Sequence, residues 1–289
     1  MPHLRIDRTK PIFVLLMAVT FGGTASIAQQ TPPTFRPDRT VVSKAVESDD
    51  LELHVFSPGG RKPGEWRPAI VFFFGGRWVE GTSAQFYPHS RYFALRGMVA
   101  ISAQYRTRDS HGTGPFACIA DGKSAIRWVR AHAAELGVDP GRIVAGGGSA
   151  AGHVAASTAL LQGLDEPDED LSISSRPLAL ILFNPVIDTT EKGYGAEKLG
   201  ARQIEASPVH HVRSGLPPTI VFHGTADTTV PFENVERFRA FMARAGNRCT
   251  LVPYEGKAHG FFNRERDLDA YLDTVARADS FLQTLGFLR

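Results

Sequence analysis

Short apolar runs alternate with segments of helical periodicity along most of this 289-residue sequence. Residues 69–74 and 98–103 are almost entirely apolar, which is typical of strands buried on both faces of a parallel sheet. Residues 116–136 repeat apolar side chains near the helical period, and Gly137 follows them. Strands that alternate with helices imply βαβ crossovers. The predicted fold class is therefore α/β, with a mostly parallel central sheet and helices on both faces.

Thirteen segments carry this alternation. The predicted strands are residues 41–46, 51–56, 69–74, 98–103, 142–147, 178–183, 219–222 and 249–254, and the predicted helices are residues 83–96, 116–136, 150–161, 232–245 and 268–285. Residues 138–141, Val-Asp-Pro-Gly, are predicted to form a turn. The polar segments 163–176 and 188–216 each follow a strand or its helix on the side where open α/β sheets bind ligands. We expect them to form the walls of a substrate pocket.

The N-terminus has the pattern of a segment that is removed from the mature chain. Three basic residues precede an apolar core at residues 11–23, and residues 26–28, Ser-Ile-Ala, match a small-x-small cleavage site. The apolar core is shorter than the roughly 20 residues that span a bilayer. We therefore predict a secretory signal peptide at residues 1–28, a flexible leader at 29–40 and one catalytic domain at 41–289. The mature protein is expected to be periplasmic or extracellular, without stable membrane insertion.

Charge and cysteine content exclude several function classes. The 32 basic and 30 acidic side chains give a formal net charge of +2, too small an excess to attract nucleic acid. The two cysteines, Cys118 and Cys249, lack the paired Cys and His spacing of a zinc site. A domain of this size has enough core without a disulfide, so free thiols are expected, although export would permit a bond.

Residues 146–153 read Gly-Gly-Gly-Ser-Ala-Ala-Gly-His and directly follow an apolar run. A serine at the break between a strand and a helix, flanked by small residues, indicates a nucleophile elbow. Small neighbours are needed because the serine sits on a sharp, strained turn. The G-x-S-x-G pattern fits from Gly147 to Ala151, with alanine in place of the last glycine. Ser149 is therefore the predicted nucleophile.

A serine nucleophile requires a base, an acid that orients the base, and donors for the oxyanion. Asp227 follows the predicted strand 219–222, and His259 follows the predicted strand 249–254. The chain order Ser, Asp, His is the order of α/β-hydrolases. All three residues follow strand ends, so they should converge on one edge of a parallel sheet.

Other residues could take the same roles. Asp188 is a rival acid because it follows the predicted strand 178–183. An aspartate in a Gly/Thr loop often forms only an Asx-turn, and a histidine beside glycine is often a solvated loop residue. The combined order and strand-end positions favour Ser149, Asp227 and His259. The rival bases are His111, His153, His210, His211 and His223, of which His223 is expected to shape the acid loop.

Two places should supply oxyanion donors. One is the backbone N–H of Ala150, the residue after the nucleophile. The other is the glycine-rich loop Phe-Gly-Gly-Arg-Trp at residues 74–78, whose glycines let the backbone turn its N–H groups inward. This loop lacks the Lys-Ser/Thr of a P-loop, so a phosphate cradle is not indicated.

The ordered motifs resemble α/β-hydrolases of the hormone-sensitive-lipase-like and acetyl-xylan-esterase-like group. They are Phe-Gly-Gly-Arg-Trp at 74–78, Tyr-Arg at 105–106, Gly-Gly-Ser-Ala-Ala-Gly at 147–152, His-Gly-Thr-Ala-Asp at 223–227 and Ala-His-Gly-Phe at 258–261. The resemblance implies that Ser149 is the nucleophile, His259 the general base and Asp227 its orienter. Relatives carry His-Gly-Gly-Gly in the oxyanion loop, which implies donation by the backbone N–H groups of Gly76 and Arg77.

The variants Phe-Gly-Gly at 74–76 and Phe-Asn-Pro at 183–185 look most like exported bacterial esterases that remove acyl groups from polysaccharides. The resemblance implies a small ester or an acylated polysaccharide as substrate, with acetyl or feruloyl groups, and no metal or organic cofactor. A small-ester carboxylesterase or lipase and a non-catalytic hydrolase-like binding module remain alternatives. A prolyl-oligopeptidase-type peptidase is a further alternative, although the chain is too short for an added propeller domain.

Overall fold

An eight-stranded sheet forms the centre of the computed structural model, which describes residues 35–60, 62 and 64–289. The strand order is β1-β2-β4-β3-β5-β6-β7-β8. Strand β2 pairs antiparallel with β1 and β4, and the other neighbours pair in parallel, which confirms the predicted α/β fold. The strands are β1 Arg39–Lys44, β2 Leu51–Phe56, β3 Arg67–Phe73, β4 Val99–Ala103, β5 Val138–Gly148, β6 Ala179–Phe183, β7 Thr219–Gly224 and β8 Cys249–Tyr254.

Helices cover both faces of this sheet. Side chains of α3, α5 and α7 share one buried apolar cluster with Val71 and Phe73, and side chains of α1 and α8 share another with Ile70 and Phe72. Alternate β3 residues therefore enter opposite clusters, as the two-residue repeat of a strand dictates. The helices are α1 Tyr87–Leu95, α2 Arg108–His111, α3 Pro115–Ala131, α4 Ala133–Leu136, α5 Ala150–Leu160, α6 Ala196–Leu199, α7 Phe232–Arg244 and α8 Leu268–Thr284, with 3-10 turns at Ser83–Phe86, Gly200–Arg202 and Pro208–His211.

Most predicted boundaries lie within two residues of the observed ones, but two predictions differ by more. The helix predicted at residues 116–136 is divided at His132, whose ring stacks on Trp128 with 3.9 Å between ring centroids and whose Nδ1 lies 2.9 Å from the Trp128 carbonyl oxygen. Residues 138–141 lie within β5, where the register with β3 shifts. The predicted turn persists there locally, because Asp139 Oδ1 accepts a hydrogen bond from the Gly141 N–H at 2.9 Å.

The signal-peptide prediction for residues 1–28 lies outside the described residues, as does the first half of the predicted leader, residues 29–34. Strand β1 begins at Arg39, two residues before the predicted start of the domain. Within the described ranges, no helix has the length and apolar character required to cross a membrane. Cys118 and Cys249 are free thiols, the first buried and the second half-buried.

Candidate active site

Ser149 joins β5 to α5 in a backbone conformation that residues other than glycine rarely adopt, with φ 58° and ψ −125°. Hydrogen bonds hold this turn, because the Ser149 N–H donates to the Phe183 carbonyl at 3.0 Å and its own carbonyl accepts from Val186 at 3.1 Å. Backbone strain of this kind persists where surrounding contacts fix it. The segment therefore has the strained geometry predicted for an elbow.

Close contacts explain the small residues around Ser149. A Cβ on Gly147 would lie 2.5 Å from the Ala151 carbonyl oxygen, and one on Gly152 would lie 2.6 Å from Cβ of Pro185. A Cβ on Gly148 would lie 2.3 Å from Cζ of Phe262. These distances leave no room for a methyl group, whereas Ala151 itself fits fully buried.

A continuous hydrogen-bond chain joins three side chains at the C-terminal ends of β5, β7 and β8. His259 Nε2 lies 2.9 Å from Ser149 Oγ, and His259 Nδ1 lies 2.7 Å from Asp227 Oδ2. With Nδ1 protonated toward the carboxylate, Nε2 is free to accept the serine proton. The structure thus brings together the three residues that the sequence selected.

The carboxyl group of Asp227 is fully enclosed and charged. Burial raises its pKa, but hydrogen bonds from His223, His259 and the Val230 N–H lower the pKa below its ordinary value. Its Oδ1 accepts from the Thr229 and Val230 N–H groups, both at 2.9 Å. A carboxylate held in this way can fix the His259 tautomer and stabilise an imidazolium.

The rival residues occupy other positions. His223 Nε2 donates to the Val230 carbonyl at 2.9 Å and lies 3.3 Å from Asp227 Oδ2, so it shapes the acid loop as expected. Asp188 is buried and pairs with Arg237. His153 is buried against the Ala206 carbonyl at 2.7 Å, and burial lowers its pKa to about 4. The remaining rival histidines form hydrogen bonds away from Ser149: His210 with Ser207, His211 with Ile204, and His111 with nearby Thr107 and with the carbonyl of Asp49, 62 residues earlier.

The predicted oxyanion donors are available for a ligand. The backbone N–H groups of Gly76, Arg77 and Ala150 find no acceptor within the described ranges. Gly76 has φ 145°, and a Cβ there would lie 1.8 Å from the Glu80 carbonyl oxygen, so only glycine fits. Arg77 adopts φ 60°, and its guanidinium pairs with Glu80 at 2.7 Å while remaining 60% exposed. Its backbone N–H can therefore donate without the side chain filling the site.

Sequence reasoning missed Gln85, which connects the oxyanion loop to the histidine loop. Its Oε1 accepts from the Gly75 N–H at 2.6 Å, and its Nε2 donates to Asn263 Oδ1 at 3.0 Å. Asn263 Nδ2 in turn donates to the Gly260 carbonyl at 2.8 Å. Gln85 belongs to none of the sequence motifs described above, so no local pattern in the sequence indicates this role.

Asn184, in the Phe-Asn-Pro segment at residues 183–185, is a buried residue whose role the sequence likewise does not indicate. It directly follows β6 with φ 33°, and its Oδ1 accepts from the Gly260 N–H at 3.0 Å. Its Nδ2 lies 3.5 Å from His259 Nε2. The buried amide therefore fixes the loop that carries the histidine.

A cavity of about 360 Å³ opens beside Ser149. Its walls come mainly from the oxyanion loop and from residues 259–266. The prediction that residues 163–176 and 188–216 form these walls is wrong, because neither segment lines the cavity. Ion pairs hold the first segment on α3, and Asp188 in the second pairs with Arg237 of α7. Across the described ranges, no three His, Cys, Asp or Glu side chains cluster as metal ligands.

The sequence matches the BD-FAE family over residues 53–192 and the dienelactone hydrolase family over residues 182–289. Esterase LipQ of Mycobacterium tuberculosis is 30% identical over 276 residues, which cover 84% of this chain and 63% of LipQ. A probable isoprenylcysteine alpha-carbonyl methylesterase of Arabidopsis thaliana is 27% identical over 220 residues, 67% of this chain and 45% of that protein. The chain thus spans about half to two thirds of these relatives.

Solved structures extend the similarity across the whole domain. The apo form of Thermogutta terrifontis esterase 2 superposes with a TM-score of 0.85 at 52% identity, covering 89% of this chain and 98% of that one. The same esterase phosphorylated by paraoxon gives a TM-score of 0.84 at 53% identity, covering 89% and 97%. On the strength of this identity and the shared sheet, the chain belongs to the esterases of the α/β-hydrolase fold.

Proposed function

We propose that this protein is an exported serine carboxylesterase that hydrolyses short-chain esters through Ser149, His259 and Asp227. The hydrogen-bond chain of 2.9 and 2.7 Å at the wall of a cavity carries this proposal. Nucleophile, base and orienting acid stand within hydrogen-bonding distance, which is the arrangement that acyl transfer requires.

The reaction proceeds in two acyl-transfer steps. Ser149 Oγ attacks the ester carbonyl carbon while His259 Nε2 takes the hydroxyl proton, and the N–H groups of Gly76, Arg77 and Ala150 donate hydrogen bonds to the oxyanion. The C–O bond to the alcohol then breaks, and the alcohol leaves with the proton from His259. Water loses a proton to His259 and attacks the acyl-enzyme, which releases the carboxylic acid and restores the Ser149 hydroxyl.

Relatives and cavity size support a short acyl group. Structures of Thermogutta terrifontis esterase 2 contain propionate or butyrate. The cavity at Ser149, about 360 Å³, lies near the lower end of the usual range of ligand pockets. Short-chain esters, acetyl esters among them, are therefore our proposed substrates, with acyl groups of polysaccharides as the natural source, in line with the resemblance of residues 74–76 and 183–185 to exported esterases that remove such groups.

Export is proposed from residues 1–28 alone, whose basic start, short apolar core and small-x-small site are those of a signal peptide. Fractionation of the producing cells and N-terminal sequencing of the recovered protein test it. Mature protein beginning at Gln29 outside the cytoplasm is the expected result. Protein that is confined to the cytoplasm and retains Met1 would refute export, but it would leave the proposed esterase activity unaffected.

Rates on p-nitrophenyl acetate and acetylated xylan test the activity, with wild type and Ser149→Ala compared. The variant should lose about 10⁴–10⁶-fold in kcat, because the nucleophile is removed. Ser280→Ala, an exposed serine in α8, is the matched control and should retain the wild-type rate. A fluorophosphonate probe should label the wild type and the control but not Ser149→Ala. Equal hydrolysis by wild type and Ser149→Ala would overturn the proposal.

A further inference from the structure

The Tyr-Arg motif at residues 105–106 has no part in the mechanism described above, yet it contacts the oxyanion loop. Tyr105 lies two residues after β4 and is 1% exposed. Its phenol donates a hydrogen bond of 2.5 Å to the carbonyl of Phe74, the first residue of the loop, and the two rings stack with 4.3 Å between centroids. Burial raises the pKa of the Tyr105 phenol well above its ordinary value, so the hydroxyl stays protonated and remains a donor.

The peptide group between Phe74 and Gly75 is held on both sides. Tyr105 binds its carbonyl oxygen, and Gln85 Oε1 accepts from its N–H, which belongs to Gly75, at 2.6 Å. Because a peptide group is planar, these two hydrogen bonds fix the rotation of the whole unit. The next N–H groups along the chain are predicted oxyanion donors, so their directions depend on how this peptide is held.

The oxyanion loop needs such support because its backbone is strained. Gly76, Arg77 and Trp78 follow one another with φ of 145°, 60° and 61°. Positive φ is unfavourable for residues with a side chain, and it persists where surrounding contacts fix it. A loop that lost these contacts would relax toward commoner backbone angles, and the N–H of Arg77 would change direction.

The far end of the loop is held by the same segment that contains Tyr105. The Arg108 N–H donates to the Trp78 carbonyl at 3.1 Å. The Asp109 N–H donates to the Val79 carbonyl at 2.9 Å. Residues 105–109 therefore bind the oxyanion loop both before and after its donors.

Arg106 anchors this segment to α3. Its N–H and Nε donate to Asp121 Oδ2 at 2.9 and 2.8 Å, and a terminal nitrogen donates to Asp121 Oδ1 at 2.8 Å. Asp121 is 2% exposed, and Lys44 also pairs with it at 2.7 Å. Glu166 pairs with both cations, with Arg106 at 2.5 Å and with Lys44 at 2.7 Å. Two cations and two carboxylates thus hold the residue next to Tyr105 in one place.

We propose that Tyr105 is a positioning residue for the esterase reaction, whose hydroxyl holds the first peptide of the oxyanion loop so that the N–H groups of Gly76 and Arg77 point at the oxyanion. The inference rests on the proposed function and gives each residue of the Tyr-Arg motif a role, since Arg106 keeps Tyr105 in place. Tyr105 acts through the backbone and touches no substrate. Its effect should therefore appear where charge develops on the substrate oxygen, in the transition state.

Tyr105→Phe tests this role, because it removes the hydroxyl and keeps the ring that stacks on Phe74. We expect kcat/KM for p-nitrophenyl acetate to fall about tenfold, with the loss mainly in kcat. A trifluoromethyl ketone reports on the oxyanion directly, because Ser149 Oγ adds to its carbonyl carbon, the serine proton passes to His259 and the ketone oxygen becomes negative. Its affinity should also fall about tenfold.

Tyr92→Phe is the matched control, because it removes a phenol that donates to Asp279 Oδ2 at 3.0 Å between α1 and α8. It should leave the ester kinetics and the ketone affinity at wild-type values. Titration with a fluorophosphonate counts the competent sites in each protein, so rates are compared per folded enzyme. Urea denaturation of both variants compares their loss of stability.

The outcomes separate alignment of the donors from a purely structural role. Wild-type kinetics and ketone affinity in Tyr105→Phe would overturn the inference. So would a loss of activity that disappears after titration, a loss that leaves the ketone affinity unchanged, or an equal loss in Tyr92→Phe. A wild type that neither hydrolyses the ester nor binds the ketone would overturn the esterase function, and this inference with it.

Discussion

Gly148→Ala tests the contact between the elbow and the histidine loop. The new Cβ would lie 2.3 Å from Cζ of Phe262, far inside van der Waals contact. Phe262 is 1% exposed, and its ring packs against Phe183 at 4.9 Å and Phe86 at 5.7 Å between centroids, so it has no free space to enter. Gly148 does not have positive φ, so the methyl group acts by collision rather than by backbone strain.

The expected cost follows from this geometry. Overpacking one carbon into a filled core usually costs about 1–3 kcal/mol, so the free energy of unfolding should fall by about 2 kcal/mol. Phe262 stands three residues after His259, so a displaced ring moves the base as well. Misplacing a catalytic group by about 1 Å can cost about 100-fold, and we expect kcat/KM to fall at least tenfold.

Urea denaturation and p-nitrophenyl acetate kinetics measure the two effects. Phe262→Leu removes ring atoms from the collision, so the double variant should be more stable than the sum of the single changes predicts, by about 1–2 kcal/mol. Phe262→Leu alone provides the control for the loss of aromatic packing. Wild-type stability and activity in Gly148→Ala, or an additive double-mutant cycle, would refute the reasoning.

Two further predictions concern Gln85 and His89. Gln85→Glu keeps the acceptor for Gly75 but removes the donor to Asn263, so kcat/KM should fall about tenfold, with the loss mainly in kcat; steady-state kinetics unchanged from wild type would contradict it. His89 is buried among aromatic rings, neither of its nitrogens has a hydrogen-bond partner among the residues that the structure describes, and burial lowers its pKa to about 3. Between about pH 6.5 and 3 the imidazole is protonated only in the unfolded chain, so the free energy of unfolding decreases by about 1.4 kcal/mol for each unit by which the pH is lowered. His89→Phe should remove that part of the pH dependence, so the stability of the variant relative to wild type should be about 2 kcal/mol more favourable at pH 5 than at pH 7. Urea denaturation of both proteins at the two pH values measures this, and a stability difference that is the same at both would contradict it.

The strands and the hydrogen-bonded triad of Ser149, Asp227 and His259 could be predicted because the sequence patterns that indicate them are local. Strands buried on both faces read as continuous apolar runs, and the fully buried strands β4 and β6 end where predicted and begin one residue later. A parallel sheet then gathers whatever follows its strands at one edge, which is how Ser149, Asp227 and His259 come together. The order of residues along the chain was therefore sufficient for this part of the site.

The walls of the site could not be predicted, because distant side chains decide them. Residues 163–176 look like a pocket loop in sequence, but Asp165 and Glu169 pair with Arg127 and hold the segment on α3. Glycine at position 148 is likewise explained only by Phe262, 114 residues later in the sequence. Neither contact leaves a periodic or motif signal near its own position.

The hydrogen bond between Gln85 and Asn263 spans 178 residues and has a consequence for recombination between homologues. Gln85 lies in the part of the chain that matches one family, and Asn263 in the part that matches another. A chimaera joined near residue 190 would inherit the two partners from different parents. The chimaera could then lose the hydrogen bond between the oxyanion loop and the histidine loop even where the rest of the sheet and its helices are compatible. Exchange of Gln85 and Asn263 together would preserve the match.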